Sequence, residues 1–212
     1  MFNIELDKIN AYLTQKQHLT DEARSGNIIQ VVKDISCLHA TNPTTPYLSL
    51  FARMREFEKQ DLEEELYIKR TLGKIRYVRT TVYILLRGFI PTAFAATRKI
   101  AEPKSEAYSK FLGIGEKEYK ETSKRIVELL KGRGGKTAKS IKEELGTKLN
   151  VSPIVNLMCD QGLLIRGAPE KSWKSNLHTY HLLNEYLQDI KLEGINELDA
   201  RRAVIEEYIA SF

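Results

Sequence analysis

Between residues 116 and 182, each change of periodicity coincides with a residue able to start or stop an element, and no other stretch narrows the fold so far. Tyr119, Ile126, Val127, Leu129 and Leu130 recur at helical spacing and predict a helix over about 116–131. The run Lys131-Gly132-Arg133-Gly134-Gly135 ends it. Residues 137–145 read as a short helix stopped by Gly146, and Ser152 is placed to cap a third helix, 153–161, which ends at Gly162. Leu163-Leu164-Ile165-Arg166 reads as a strand, 167–176 as a polar loop carrying Trp173, and 177–182 as the returning strand. Three helices followed by a hairpin is the order of a winged helix-turn-helix.

The same order precedes it. Residues 4–18 read as an opening helix with Ile4, Ile9, Tyr12 and Leu13 on one face. Thr20-Asp21-Glu22 is a start signal before a helix over 28–39, whose apolar residues are Ile28, Ile29, Val31, Val32, Ile35 and Leu38. Asn42-Pro43 stops that helix, because the proline ring disfavours helix in the residue before it. Thr45 as N-cap and Pro46 then open a helix over about 46–54, followed by one over about 59–69. The sequence 72–86 is rich in β-branched and aromatic residues, with Lys74 and Arg76 alternating with apolar ones. It predicts two strands turning near Arg79-Thr80. Connecting helices are expected over 89–99 and 103–112. A last amphipathic helix, 197–211, carries Leu198, Val204, Ile205, Tyr208 and Ile209 as a stripe that must pack on something. The expected fold is therefore mainly α with small β wings (α+β), a tandem winged helix-turn-helix. Its expected parts are a first winged helix (1–97), a helical connector (98–117), a second winged helix (118–190), and a helix resembling the start of a third (191–212).

A chain of 212 residues that is 42% hydrophobic can bury a core in such units. The net charge of +5 is compatible with nucleic acid but only mildly basic. Cys37 and Cys159 lie in helical patterns and read as small core residues, and with four scattered histidines they show no zinc spacing, so neither metal nor cofactor is expected. The first residues lack a basic-then-apolar signal pattern, and no apolar run approaches the ~20 residues that span a bilayer. A soluble, cytoplasmic protein without membrane partners is the expectation.

The charged residues bear on how such a fold would meet DNA. The third helix of the first unit carries Glu58, Asp61, Glu63, Glu64 and Glu65, which repel phosphates; that of the second offers only Asn156, Asp160 and Gln161 as polar groups. This argues against a repressor that reads bases. The cations lie elsewhere. Lys131, Arg133, Lys136, Lys139 and Lys142 surround the glycine-rich turn, and Arg166, Lys171 and Lys174 lie on the second wing, a pattern suited to duplex backbone contacts. The glycine-rich turn lacks phosphate-loop spacing and follows a helix rather than a strand. His178 and His181, three apart on a strand, face opposite sides and read as structural. His39, Thr41 and Asn42 are expected at a helix C-terminus beside a proline-fixed loop, a place that can hold side chains in fixed geometry.

Three motifs together resemble one family. Gln17-His18-Leu19 is similar to a first-helix signature of the AlkZ/YcaQ-like winged-helix DNA glycosylases. Cys37-Leu38-His39-Ala40-Thr41-Asn42-Pro43, followed by Pro46-Tyr47-Leu48-Ser49-Leu50, is similar to their catalytic region, and Arg79-Thr80-Thr81-Val82-Tyr83 to their Arg-Gly-Thr-Leu strand. The resemblance runs through the whole chain and covers about the first half of a typical member, which continues into a third winged helix and a β-barrel. It implies hydrolysis of the bond between an alkylated base and its sugar in base excision repair. The family's motif is Gln or His, an apolar spacer, then Gln or Asp, which places His39 first and Thr41 second as catalytic candidates. Thr41 departs from the pattern: its hydroxyl is shorter than an amide and carries no charge. The resemblance therefore implies DNA binding with weak or lost catalysis. The alternatives are a non-catalytic winged-helix module for protein partners, or half of a split assembly. The acidic third helix of the first unit favours the former; an apolar face on 197–211, open to a second chain or to self-association, favours the latter.

Overall fold

The computed structural model describes residues 5–212, so Ile4 lies outside the described residues. The first helix, α1 (Leu6–Lys16), buries no residue. Helix α2 (Ile28–Asp34) is capped by Asn27, whose Oδ1 accepts from the Gln30 N–H at 3.1 Å, and it buries Ile28, Val31 and Val32. It stops well short of the expected residue 39. Ser36 adopts a left-handed φ of 67°, and Leu38–His39 forms a strand, β1. The burial order explains the correction: Leu38 and Ala40 are buried and His39 between them is exposed, a period of two rather than 3.6. Helix α3 (Thr45–Phe51) has Pro46 in its first turn, and α4 (Lys59–Glu63) begins with a capping box between Glu58 and Asp61. It continues as a π-helical turn, Glu64–Ile68. Strands β2 (Leu72–Arg76) and β3 (Val82–Leu86) then form the expected hairpin.

A single helix, α5 (Ile90–Phe111), replaces the two expected over 89–112, with Pro103 inside it. Proline removes one backbone donor there. The helix persists because it is seated along its length: Ala93, Ala96, Ala101, Ser105 and Ser109 are buried on the sides facing α8 and α10. The second half comprises α6 (Glu116–Leu130), β4 (Lys136–Thr137), α7 (Ala138–Leu145), α8 (Val151–Asp160), β5 (Leu164–Pro169), β6 (His178–Leu182), α9 (Leu183–Tyr186) and α10 (Glu197–Ala210). Thr137 caps α7, and Gly146 ends it in the left-handed conformation that only glycine adopts cheaply. Asn150, not Ser152, caps α8, with its Oδ1 accepting from the Ser152 N–H.

All six strands belong to one antiparallel sheet in the order β1-β3-β2-β5-β6-β4. The hairpins expected in separate units share an edge, where Lys74 on β2 lies opposite Arg166 on β5. One transverse row thus runs Leu38, Ile84, Lys74, Arg166, Tyr180, Lys136. That face packs on α2–α4 through Leu38, Leu72 and Ile84, and on α6–α8 through Leu164, Tyr180 and Leu182. The opposite face buries Ile75, Leu85 and Ile165 against Ile90, Ala93, Leu183 and Leu187. Two further ties cross between the halves. Trp173, in the β5–β6 loop, packs edge-on against Tyr47 at 4.8 Å. Arg76 donates to Asp160 at 2.6 Å, and Ser105 donates to the same carboxylate oxygen, so β2, α5 and α8 meet at one buried charge.

Helix α10 lies on α5 with Ala200 buried and Val204 half-buried; Arg201 Nε donates to the Ala96 carbonyl, and Lys99 pairs with Glu197 at 2.5 Å. The expected stripe is therefore corrected. Only Val204 turns inward, whereas Leu198, Ile205, Tyr208 and Ile209 are exposed. Among the described residues, no helix is long and apolar enough to cross a membrane, and no three His, Cys, Asp or Glu side chains converge to hold a metal ion.

Candidate functional site

His39 and Thr41 stand on the free edge of the sheet, not at a helix end. β1 pairs with β3 in a register that sets His39 opposite Tyr83, with ring centroids 5.0 Å apart and edge-on. Tyr83 meets Tyr77 at 5.8 Å, and Tyr77 meets Phe89 at 6.4 Å, so His39 is the outermost ring of an aromatic run whose inner members are packed. The imidazole thus has one perpendicular aromatic neighbour, and His39 is otherwise exposed. Burial raises the Tyr77 phenol well above its ordinary value, with Cys37, Glu207 and Tyr83 adding to the shift, so Tyr77 is neutral and acts as a wall.

One residue further on, the ladder closes. The Ala40 N–H donates to the Val82 carbonyl at 2.8 Å, and the Val82 N–H donates to the Thr41 hydroxyl at 3.3 Å. Thr41 thus spends an acceptor site on extending the sheet edge, leaving its O–H free to donate. Asn42 turns the chain: its Oδ1 accepts from the Thr44 N–H at 3.0 Å and from the Thr44 hydroxyl at 2.8 Å, which fixes the entry to α3. The β2–β3 turn stands beside this edge, with Arg79 and Thr80 both left-handed at φ 59° and Arg79 exposed. The edge can offer an imidazole and a hydroxyl donor to a ligand. It holds no carboxylate at either motif position. The pairing of His39 with Tyr83 escaped the sequence reading because a helical pattern through residue 38 hid the strand.

Cys37, two residues before His39, is half-buried, and burial pushes its thiol up to about 11, offset in part by a hydrogen bond from Ser36 and raised by Glu207. Cys159 is likewise a free thiol held at about 11 by burial. Both are inert at neutral pH.

The basic residues divide. Lys131, Arg133, Lys139, Lys142, Lys171 and Lys174 are exposed. Lys136 is half-buried and pairs with Glu144 at 2.8 Å, which also accepts from Ser140. Lys139 lies 3.9 Å from Glu143, and Lys174 lies over the Trp173 ring at 5.3 Å. Arg166 is a correction: it is buried, donates to Asn156 Oδ1 at 2.7 Å, and presents no charge to solvent. Its place in the transverse row, on the side of the sheet covered by helices, is the reason. Lys74 is buried beside it, donating to the Tyr67 hydroxyl at 2.6 Å, and burial together with Arg166 lowers its ammonium from 10.5 to about 8. The acidic residues of the first half line a cavity of about 760 Å³ with Glu56, Glu58, Asp61, Glu64 and Glu65, far from an anion-binding surface in character.

The family model described as DNA glycosylase AlkZ-like matches residues 32–212. Among solved structures, the Streptomyces sahachiroi DNA glycosylase AlkZ superposes with a TM-score of 0.75 at 15% sequence identity, covering 99% of this chain and 58% of that one. At that identity the likeness is one of fold. The chain spans 58% of the length of the solved structure it matches. No curated protein sequence matches the chain.

Proposed function

The chain belongs to the AlkZ-like DNA glycosylase family, and from that membership we propose a duplex-DNA-binding protein of base excision repair whose alkylpurine glycosylase chemistry is reduced to weak base release. In this reading the two helix groups with their hairpins are winged-helix units, in the expected partition 1–97, 98–117, 118–190 and 191–212, whose first two boundaries fall inside α5 and α6 and whose last falls in the loop before α10. The observation that carries the proposal is the edge geometry: His39 and Thr41 are both exposed beside the free margin of the sheet, and Thr41 is held there by the Val82 N–H.

An N-alkylated purine is already a cationic leaving group, so the protein must mainly position a water and stabilise positive charge developing on the sugar. His39 can hold that water or a sugar oxygen through a ring nitrogen. Thr41 has a donor to give but no negative charge and little reach. The pair therefore orients without activating, which supports slow chemistry. DNA would be held by the exposed cations of the second half, Lys131, Arg133, Lys139, Lys142, Lys171 and Lys174, with Lys136 recruited if it leaves Glu144. None is fixed by the close, bidentate geometry that reads bases, which favours contacts to phosphate.

Duplex binding as a function of salt tests the binding half. Replacing Lys136, Lys139 and Lys142 by alanine is expected to weaken binding and to reduce the log–log salt slope by up to about one unit per lost contact. Identical affinities and slopes for wild type and triple variant would remove this surface from the account.

A further inference from the structure

The β2–β3 turn is held firmly in a backbone that its central residues do not favour. The Tyr77 N–H donates to the Thr81 carbonyl at 2.9 Å, the Thr80 N–H to the Tyr77 carbonyl at 3.1 Å, and the Thr81 N–H to the Val78 carbonyl at 3.3 Å. Tyr77 is buried, and Val78 packs against the same core as Ile90 and Ala93 of α5. Between these anchors Arg79 and Thr80 are both left-handed at φ 59°. Two left-handed centres match the twist of the strands in a hairpin, and their usual occupants are Asn-Gly, Asp-Gly or Gly-Gly. Arginine is strained there and glycine would not be. Strain of this kind gathers where a side chain is put to use, so the side chain of Arg79 calls for an account.

That side chain is unspent. Eight arginines lie between residues 24 and 98, and seven of them are engaged within the molecule, as Arg76 is with Asp160 and Arg98 with Glu102. Arg79, the eighth, is exposed, and its guanidinium has no partner among the described residues. Its place is beside the candidate site. The register that sets His39 opposite Tyr83 brings Thr41 level with Thr81, two residues past Arg79. The charge decides what it can hold. An alkylated purine and the sugar it leaves are both electron-poor, so a cation facing them would oppose release. The phosphodiesters flanking that nucleotide are anionic, and the planar fork of a guanidinium matches them.

We infer that Arg79 is a phosphate clamp: it holds a DNA phosphodiester flanking the nucleotide presented to His39 and Thr41, and so sets where that nucleotide lies on the sheet edge. The inference rests on the proposed DNA function. It adds to the exposed cations of the second half a contact that belongs to the site itself.

Binding of the 212-residue chain to a duplex carrying one tetrahydrofuran abasic-site analogue tests it, with single phosphates beside the analogue replaced in turn by neutral methylphosphonates. For the wild type, one such replacement is expected to weaken binding by about 10-fold. Arg79→Gly should weaken binding to the unmodified backbone by a similar factor, and the same methylphosphonate should then cost nothing further. Its urea midpoint should be no lower than that of the wild type, since glycine relieves the turn. Arg79→Lys, which keeps the charge and loses the fork, should fall between the two. Equal binding by wild type and Arg79→Gly, methylphosphonate losses that simply add to that of the variant, or a lower midpoint for Arg79→Gly would overturn the clamp while leaving the DNA function standing. A wild type that binds no duplex would overturn both.

Discussion

The hydroxyl of Thr41 and the backbone of Thr80 each show how one residue sets what the sheet edge can do. Thr41 was legible as a departure from the family motif. Its bond from Val82 was not, because that bond depends on β1 being a strand. Thr80 holds a β-branched side chain at φ 59°, a conformation that costs about 1–2 kcal/mol for such residues. Thr80→Gly is expected to relieve that strain, less the entropy glycine adds to the unfolded chain, for a net gain of roughly 1 kcal/mol in urea unfolding. An unchanged or lower midpoint would mean the turn is not strained. His178 supplies a test in pH. Burial, with Lys74 and Arg166 nearby, lowers its imidazole from 6.5 to about 4. A base with a depressed folded pKa binds fewer protons when folded. Its contribution is therefore complete above pH 6.5 and is lost as pH falls toward 4. The loss is at most about 3 kcal/mol. His178→Gln should flatten the stability slope over that window relative to wild type, and parallel slopes would contradict the assignment.

Elements were readable wherever a local residue fixes them and not where a distant one does. Helices α6 and α7 and the β2–β3 hairpin lie close to their expected bounds, because glycine stops, a threonine cap and β-branched runs act within one turn of chain. Helix α5 runs through Pro103, and β1 cuts short the helix expected to reach residue 39, since packing and ladder bonds from elsewhere in the chain decide both. Ladder strand β4, two residues long, carries no sequence signature at all. The Arg76–Asp160 tie is of this distant kind. The sequence offered Arg76 as a basic strand residue and Asp160 as a polar group on a helix, 84 positions apart. Burial raises the Asp160 carboxyl, while Arg76 and the Ser105 hydrogen bond hold it down. Removing one partner strands the other. Arg76→Met should cost about 3–5 kcal/mol, whereas Arg76→Met with Asp160→Leu should recover most of that loss. If the double variant is as unstable as the single, the cost comes from packing rather than from an uncompensated charge.

For the whole molecule, the α+β class and the family were both within reach of the sequence; the way the halves join was not. The two hairpins looked like separate wings because each has its own start, turn and stop. Only the folded chain shows Lys74 opposite Arg166 and a sheet shared across the seam. The same blindness turned Arg166 into an expected surface cation and left the outward face of α10 looking like an inward one. Membership of the AlkZ-like family and the exposed edge carrying His39 and Thr41 are the grounds for the central proposal, weak release of alkylated bases. Base release from a duplex containing N-alkylated purines, measured under single-turnover conditions, tests it most directly. The account predicts little release by the wild type, more by Thr41→Gln, which restores a long amide at the second motif position, and none above background by His39→Ala. Robust release by the wild type that survives His39→Ala would contradict it.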